Sequence, residues 1–499
     1  MYLFILFFFA FLMILHGLPL SLDDYGFQSK HFETAAQALS YVLGYGNGRV
    51  LGNSGILFLT HHLFLADLLR AVLLSGIAIL LPSVLQLKNR ILPWVSAFLL
   101  LTVSPSIFGQ AYSWLSGFQN YVPPIFLFLC GLWFAERAGC LSSKGLKVFL
   151  SVISFLCSIS MQLYIEHSTC INLFLAVLTV AAVWKRAERK SFHMPVAMFF
   201  AGAFLGTLIM GTVTIISNPQ IQGGTIGHTS YLSSGLKSLA YGITRNGILL
   251  LGMFSENAVL LLLLSALQTL QILNNKAAFS DRELVFCPLG MLLPSFVFLF
   301  QLAAGLHPWY GKLAVFESVW IIIAWVVFLT ALIVSWKKLL ICKESAYRCR
   351  FAGLLIGIAV FGILPLLVIW PIGYRCLLHS SMALMGAVLV LSDELLSKFG
   401  KEKEKKVLVA VVSVFAAVVI CESMLFADAR RMVSIRDAFV KEQARIGADS
   451  AAVFLIPSPY IYESWNEETE HYRMIEDHLI RLKILPADVW FRLCYYHYT

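Results

Sequence analysis

Apolar runs long enough to cross a bilayer recur along the whole chain, and nothing constrains its fold more. They fall near 1–21, 63–87, 91–108, 121–139, 148–165, 168–184, 195–216, 246–273, 284–304, 316–336, 351–370, 375–392 and 407–426. Runs of that length match the hydrocarbon thickness of a bilayer when coiled as helices. Composition agrees: 59% of the 499 residues are hydrophobic and 13% are charged, against about 25% charged in an ordinary soluble domain. The expected fold is an all-α polytopic membrane protein with about 13 transmembrane helices. The run at Met1–Leu20 has no basic n-region and no small-residue cleavage site, so it is expected to stay as the first span.

The formal charge of +9 invites a nucleic-acid partner. Its distribution excludes one, because the basic residues cluster in short connectors between apolar runs. Lys185–Lys190, Lys337–Arg350 and Lys398–Lys406 are the densest clusters, and all lie on one alternating set of loops. Ahead of the tail, the opposite set of loops holds Lys30, Arg49, Arg70, Lys237, Arg245, Lys312 and Arg375. The bias makes the first set cytoplasmic. The N-terminus is then inside and the C-terminus outside, in a multi-pass protein of the plasma membrane. Ten scattered cysteines without zinc spacing read as small buried hydrophobes.

The expected outer segments, 22–62, 109–120, 217–245, 305–315 and 427–499, are longer and more varied than the cytoplasmic ones. Chemistry belongs on such a face. Segment 22–62 is expected to hold an amphipathic helix over Phe32 to Leu43, broken by Gly44, Gly46 and Gly48. Asp67 and Arg70 have the i, i+3 spacing of an ion pair. The tail, 427–499, is expected to be a small extracytoplasmic α/β appendage. It comprises a helix over 428–447, a strand from Ala451 to Ile456, a helix over 468–483 and an aromatic end at 489–498. The transmembrane core is then 1–426.

Several groups on that face carry chemistry. Asp23 and Asp24 directly follow the first run. A carboxylate there serves as a general base toward a sugar hydroxyl or as a metal ligand, or more simply as a helix cap or topology signal. Glu166 and His167 sit in a tight hairpin. They are either a second acid with its neighbour or a turn exposed to water. Arg49, Arg245 and Arg375 run against the charge bias. A guanidinium suits phosphate, and the alternative is interfacial snorkelling. Trp114 to Tyr121, with Asn120, is expected to be a short loop that stacks on and hydrogen-bonds a sugar, or else an aromatic belt with a turn.

These motifs resemble the GT-C fold of membrane glycosyltransferases, and within it an uncharacterised bacterial, glucosyltransferase-like polytopic family. The likeness is carried by Asp23-Asp24-Tyr25, Gly48-Arg49, Trp114 to Tyr121, Glu166, Pro371 to Arg375, and Trp490 with Tyr495-Tyr496. The chain departs from the pattern at 307–315, which has no arginine after its proline, and at Asn218-Pro219, a partial match to a polar loop. The resemblance implies transfer of a sugar from a polyprenyl-phosphate donor to a cell-surface glycan acceptor, beside the lipid bilayer. Asp23, Asp24 and Glu166 would be catalytic. Tyr25, Arg49, Trp114, Asn120, His167, Arg245 and Arg375 would bind substrate. A monophosphate donor requires no metal, so no cofactor is expected. The other classes that fit are a transporter or flippase for a lipid-linked glycan, and a non-catalytic assembly subunit.

Overall fold

The computed structural model describes residues 1–21, 23–44, 47–184, 191–217, 229–230, 235–305, 310–342, 346–370, 372–446, 450–454 and 492–496. Among them the chain is helical apart from two short two-stranded pairings. Ten helices are long and apolar enough to cross a membrane, or up to twelve if each of two bent pairs counts as one span. The chain forms two compact units. The first is Met1–Ile77, Pro105–Pro219 and Ala416–Thr499; the second is Ala78–Ser104 and Gln220–Phe415.

The first unit contains α1 (Tyr2–Leu15), α2 (Asp23–Gln28), α3 (Ala35–Gly44), α4 (Val50–His61) and the start of α5 (Leu63–Val84). It continues after α6 (Leu92–Leu101) with α7 (Pro105–Phe108), α8 (Leu115–Cys140), α9 (Lys144–Ser160), α10 (Glu166–Trp184) and α11 (His193–Ser217). Helix α1 buries Phe7, Phe11, Ile14 and Leu15, one stripe at helical spacing, and leaves Ile5, Leu6, Phe9 and Met13 exposed. A helix apolar on all sides suits lipid on one face and protein on the other. Helices α8, α9 and α11 pack through small residues. Ser154 Oγ donates to the Gly131 carbonyl at 2.8 Å, and a side chain on Gly202 would collide with Ser158. The large residues Leu146, Phe149 and Leu156 of α9 point outward. Small residues inside and large apolar ones outside are the packing of membrane helices.

The second unit is built on α17 (Leu378–Ser397), which is almost wholly buried. Around it lie α12 (Leu236–Ser255), α13 (Ala258–Asn274), α14 (Asp281–Gly305), α15 (Tyr310–Leu339) and α16 (Ala346–Ile363). Asn246 of α12 donates its amide to the carbonyls of Leu366, Leu367 and Ile369. Strand β1 (Thr229–Ser230) pairs antiparallel with β2 (Ile369–Trp370). Basic residues meet acids at several helix ends, as Arg348 does Asp393 at 2.7 Å and Lys338 does Glu283 at 3.1 Å.

The following expectations change. The first run makes a helix of 14 residues, ending before His16 and Gly17. At 1.5 Å per residue that is about 21 Å, short of the roughly 30 Å hydrocarbon core. The run at 91–108 is interrupted after Leu101, and the run at 246–273 is bent by 76° between α12 and α13. The expected loop 109–120 is a π turn at Gly109–Ser113 followed directly by the buried start of α8. The expected helix over Phe32 to Leu43 begins later, at Ala35, and a further helix, α4, fills 50–61. The last run and the helix expected over 428–447 are one helix, α18 (Lys401–Arg445), of 45 residues. No Gly or Pro stands between the two parts to stop it. In the tail, β3 (Ser450–Phe454) pairs in parallel with β4 (Arg492–Tyr496). The rest of the expected tail, 455–491 with Trp490, and Asn218-Pro219 and Pro371 lie outside the described residues.

Candidate functional site

The site is assembled where α1 ends. Gly17 has φ +71°, a conformation that costs glycine little, and lets the chain leave the helix and turn into α2. The Asp24 carboxylate then reaches back to the Ser21 N–H at 3.1 Å, as the acid of a capping box does. The same carboxylate accepts the N–H groups of Leu115 at 3.2 Å and Ser116 at 2.8 Å, and the Ser116 hydroxyl. Leu115 and Ser116 open α8, whose amides have no partner within the helix. Asp24 therefore caps a helix about 90 residues away and sits at its positive end. It is fully enclosed. Burial pushes its pKa up to about 6, against the pull of the Ser116 and Ser21 hydrogen bonds and the Arg70 charge. Trp114, expected as a stacking platform, is 5% exposed and donates its indole N–H to the Ser21 carbonyl at 3.1 Å.

Behind Asp24 lies a charged layer that extends the i, i+3 pair. Asp67 and Arg70 are each 3% exposed and joined at 3.2 Å. Asp67 also accepts the Gly17 N–H at 2.9 Å and contacts His16 Nδ1 at 3.0 Å. Arg70 donates to the Ser113 carbonyl at 2.7 Å and lies over the Phe118 ring. Arg430 of α18 donates to the His16 carbonyl at 2.6 Å. Four elements are thereby fastened around the C-terminal end of α1.

Arg49 and Glu166, 117 residues apart, form a forked ion pair. Nε and Nη2 of Arg49 reach the Glu166 carboxylate at 3.1 and 2.9 Å. Gly48 sets up this approach. It has φ +71° and lies so close to Met210 and Thr214 of α11 that no side chain fits. The Asn47 side chain accepts the Arg49 N–H and the Asn53 amide. Gly52 and Gly55 let α4 close on the amides of Asn120 and Gln119, and Asn120 donates to the Ser116 carbonyl at 2.9 Å. Polar groups thus line a path from Asp24 through Ser116 and Asn120, whose Oδ1 has no hydrogen-bond partner and packs on Gly52 of α4, to Arg49 and Glu166.

The first unit contains Asp23, Asp24, Tyr25, Arg49, Trp114, Asn120, Glu166 and His167. Asp23 is exposed, Tyr25 half-buried, and His167 buried in the first turn of α10. Arg245, exposed on α12, and Arg375, half-buried in a 3-10 turn at Tyr374–Leu377, belong to the second unit. Sequence analysis passed over Gln162, and it took Ser116 and Gln119 only as part of the 114–121 segment. Gln162 is fully buried, and neither end of its amide has a hydrogen-bond partner among the described residues. An amide inside an apolar run was the available signal. Among the described residues no group of three His, Cys, Asp or Glu side chains is placed to hold a metal ion. No protein-family model, curated protein or solved structure matches the chain.

Proposed function

We propose that this protein is a membrane glycosyltransferase. It moves a sugar from a polyprenyl-phosphate donor to a cell-surface glycan at the outer face of the plasma membrane. The observation that supports the reading is the path from Asp24 to Glu166, in which carboxylates, a guanidinium and neutral amides from five segments share one region of the first unit.

In this reading the two aspartates divide the work. Asp24 is saturated by donors and positions the loop; Asp23, exposed beside it, is the base. Asp23 takes the proton of the acceptor hydroxyl as its oxygen attacks the anomeric carbon. The bond from that carbon to the phosphate oxygen breaks, and polyprenyl phosphate leaves. Arg49 steadies the leaving charge, released for that purpose from Glu166. Amides such as Asn120 suit the neutral hydroxyls of a sugar ring.

The test is glycan analysis of cell envelopes from wild-type, deletion, Asp23→Asn and Asp24→Asn strains at equal membrane expression. One sugar missing from the deletion and the Asp23→Asn strain is the expected result. An unchanged glycan in the deletion ends the transferase reading. The break between α12 and α13 favours a second reading, a transporter for a lipid-linked glycan, since transporters build sites at interrupted helices. It predicts that the deletion strain loses the glycan while Asp23→Asn keeps it.

A further inference from the structure

Helix α18 carries one feature that the transferase reading does not use. Its buried positions in the first unit, Val419, Glu422, Phe426 and Ala429, fall at i, i+3, i+7 and i+10, a single seam. Ile420, Met424 and Leu425 around that seam are exposed apolar residues, as on a lipid-facing helix. Glu422, 6% exposed, therefore stands at a core position of an apolar span. Its Oε2 atom has no hydrogen-bond partner, and no cation pairs with it among the described residues. On the facing segment, Phe108 stacks on Phe426 with ring centroids 5.3 Å apart, and Tyr112 packs against Phe108 at 5.1 Å. This sets Tyr112, fully buried with an unpartnered hydroxyl, within electrostatic reach of Glu422. Tyr112 is the titratable group that the described residues set against Glu422.

An ionised carboxylate left without a cation or donors in such surroundings is too costly to persist. A carboxylic acid is not, because it carries no charge. Ionisable side chains inside apolar spans are rare and tend to mark sites where protons are held or passed. We propose that Glu422 and Tyr112 form an intramembrane proton-binding site, with Glu422 holding its proton in the resting protein. The site is independent of the transferase reading.

A protonated carboxyl in apolar surroundings has a specific reactivity. Its O–H adds across a C=N bond of an apolar carbodiimide: oxygen bonds to carbon, the proton goes to nitrogen, and no group leaves. The O-acylisourea then rearranges to a stable N-acylurea. The experiment treats the purified full-length protein in lipid vesicles with dicyclohexylcarbodiimide and maps adducts by peptide mass spectrometry across pH. Glu422 is expected to be modified at least ~10-fold faster than the exposed Glu402 and Glu442, since an ionised, water-facing carboxylate lacks the proton the reaction needs. The Glu422→Gln variant loses that adduct. The Tyr112→Phe variant keeps the adduct and shifts its pH profile, because it removes the titratable group within electrostatic reach of Glu422. Modification of Glu422 no faster than that of Glu402, in protein with a normal melt, overturns the proposal. An unchanged pH profile in Tyr112→Phe overturns the pairing.

Discussion

Asp24 and Glu422 are both buried carboxyls of the first unit, and their surroundings are opposite. Asp24 is met by three backbone N–H groups and a hydroxyl, with Arg70 acting on it from nearby. Glu422 has apolar neighbours and one phenol. The difference teaches that burial alone says little about what a carboxyl does. One organises a helix terminus and a loop; the other is kept neutral and is available for proton exchange.

The largest expected effect breaks the organised side of this comparison. Arg70→Met removes the buried cation from Asp67 and leaves it only the Gly17 N–H, His16 and the charge of Arg430, and breaking such a buried pair costs up to about 3–5 kcal/mol. Thermal unfolding in detergent should fall accordingly, and a melt near wild type would mean that the charged layer is solvated. Asp24→Asn comes next. It turns a donor toward the α8 amides in place of an acceptor and should cost about 1–3 kcal/mol. Its proton linkage has a definite sign. A carboxyl raised from 3.8 to about 6 binds its proton more tightly when folded. Stability from this group therefore grows as pH falls through about 6 toward 4, and shrinks as pH rises. The wild-type melt should show that slope and Asp24→Asn should lack it.

Glu166→Gln sharpens the comparison in a partly exposed setting. The pair with Arg49 is open enough to water that its loss should cost under about 1 kcal/mol. Transfer, by contrast, should drop, which a glycan profile would read. Glu422→Leu has the smallest expected effect on stability, neutral to slightly stabilising, because an apolar side chain suits the seam. A loss as large as that of Arg70→Met would show that Glu422 has a charged partner after all.

The helical membrane class was legible because apolar length is a local property. So was the Asp67–Arg70 pair, since i, i+3 spacing fixes neighbours on a helix. The start of α8 was not. Trp114 to Tyr121 reads as a loop because it mixes aromatics, Gly and amides. It forms a buried helix because Asp24, about 90 residues earlier, supplies the cap that its own N-terminal residues lack. The extent of α18 was missed for the converse reason. A change from apolar to charged residues marks a change of surroundings, and it does not stop a helix without a breaking residue.

By itself the sequence determined that this chain spans a membrane many times and that acidic and basic residues cluster after its first apolar run. Tertiary structure alone decided that Asp24 is enclosed while Asp23 is exposed, that Arg49 finds Glu166, and that Glu422 is buried in the seam of α18 within electrostatic reach of Tyr112. The reason is physical. Hydropathy acts residue by residue along the chain, whereas the state of a charged group depends on which distant donors and charges folding brings within a few ångströms of it.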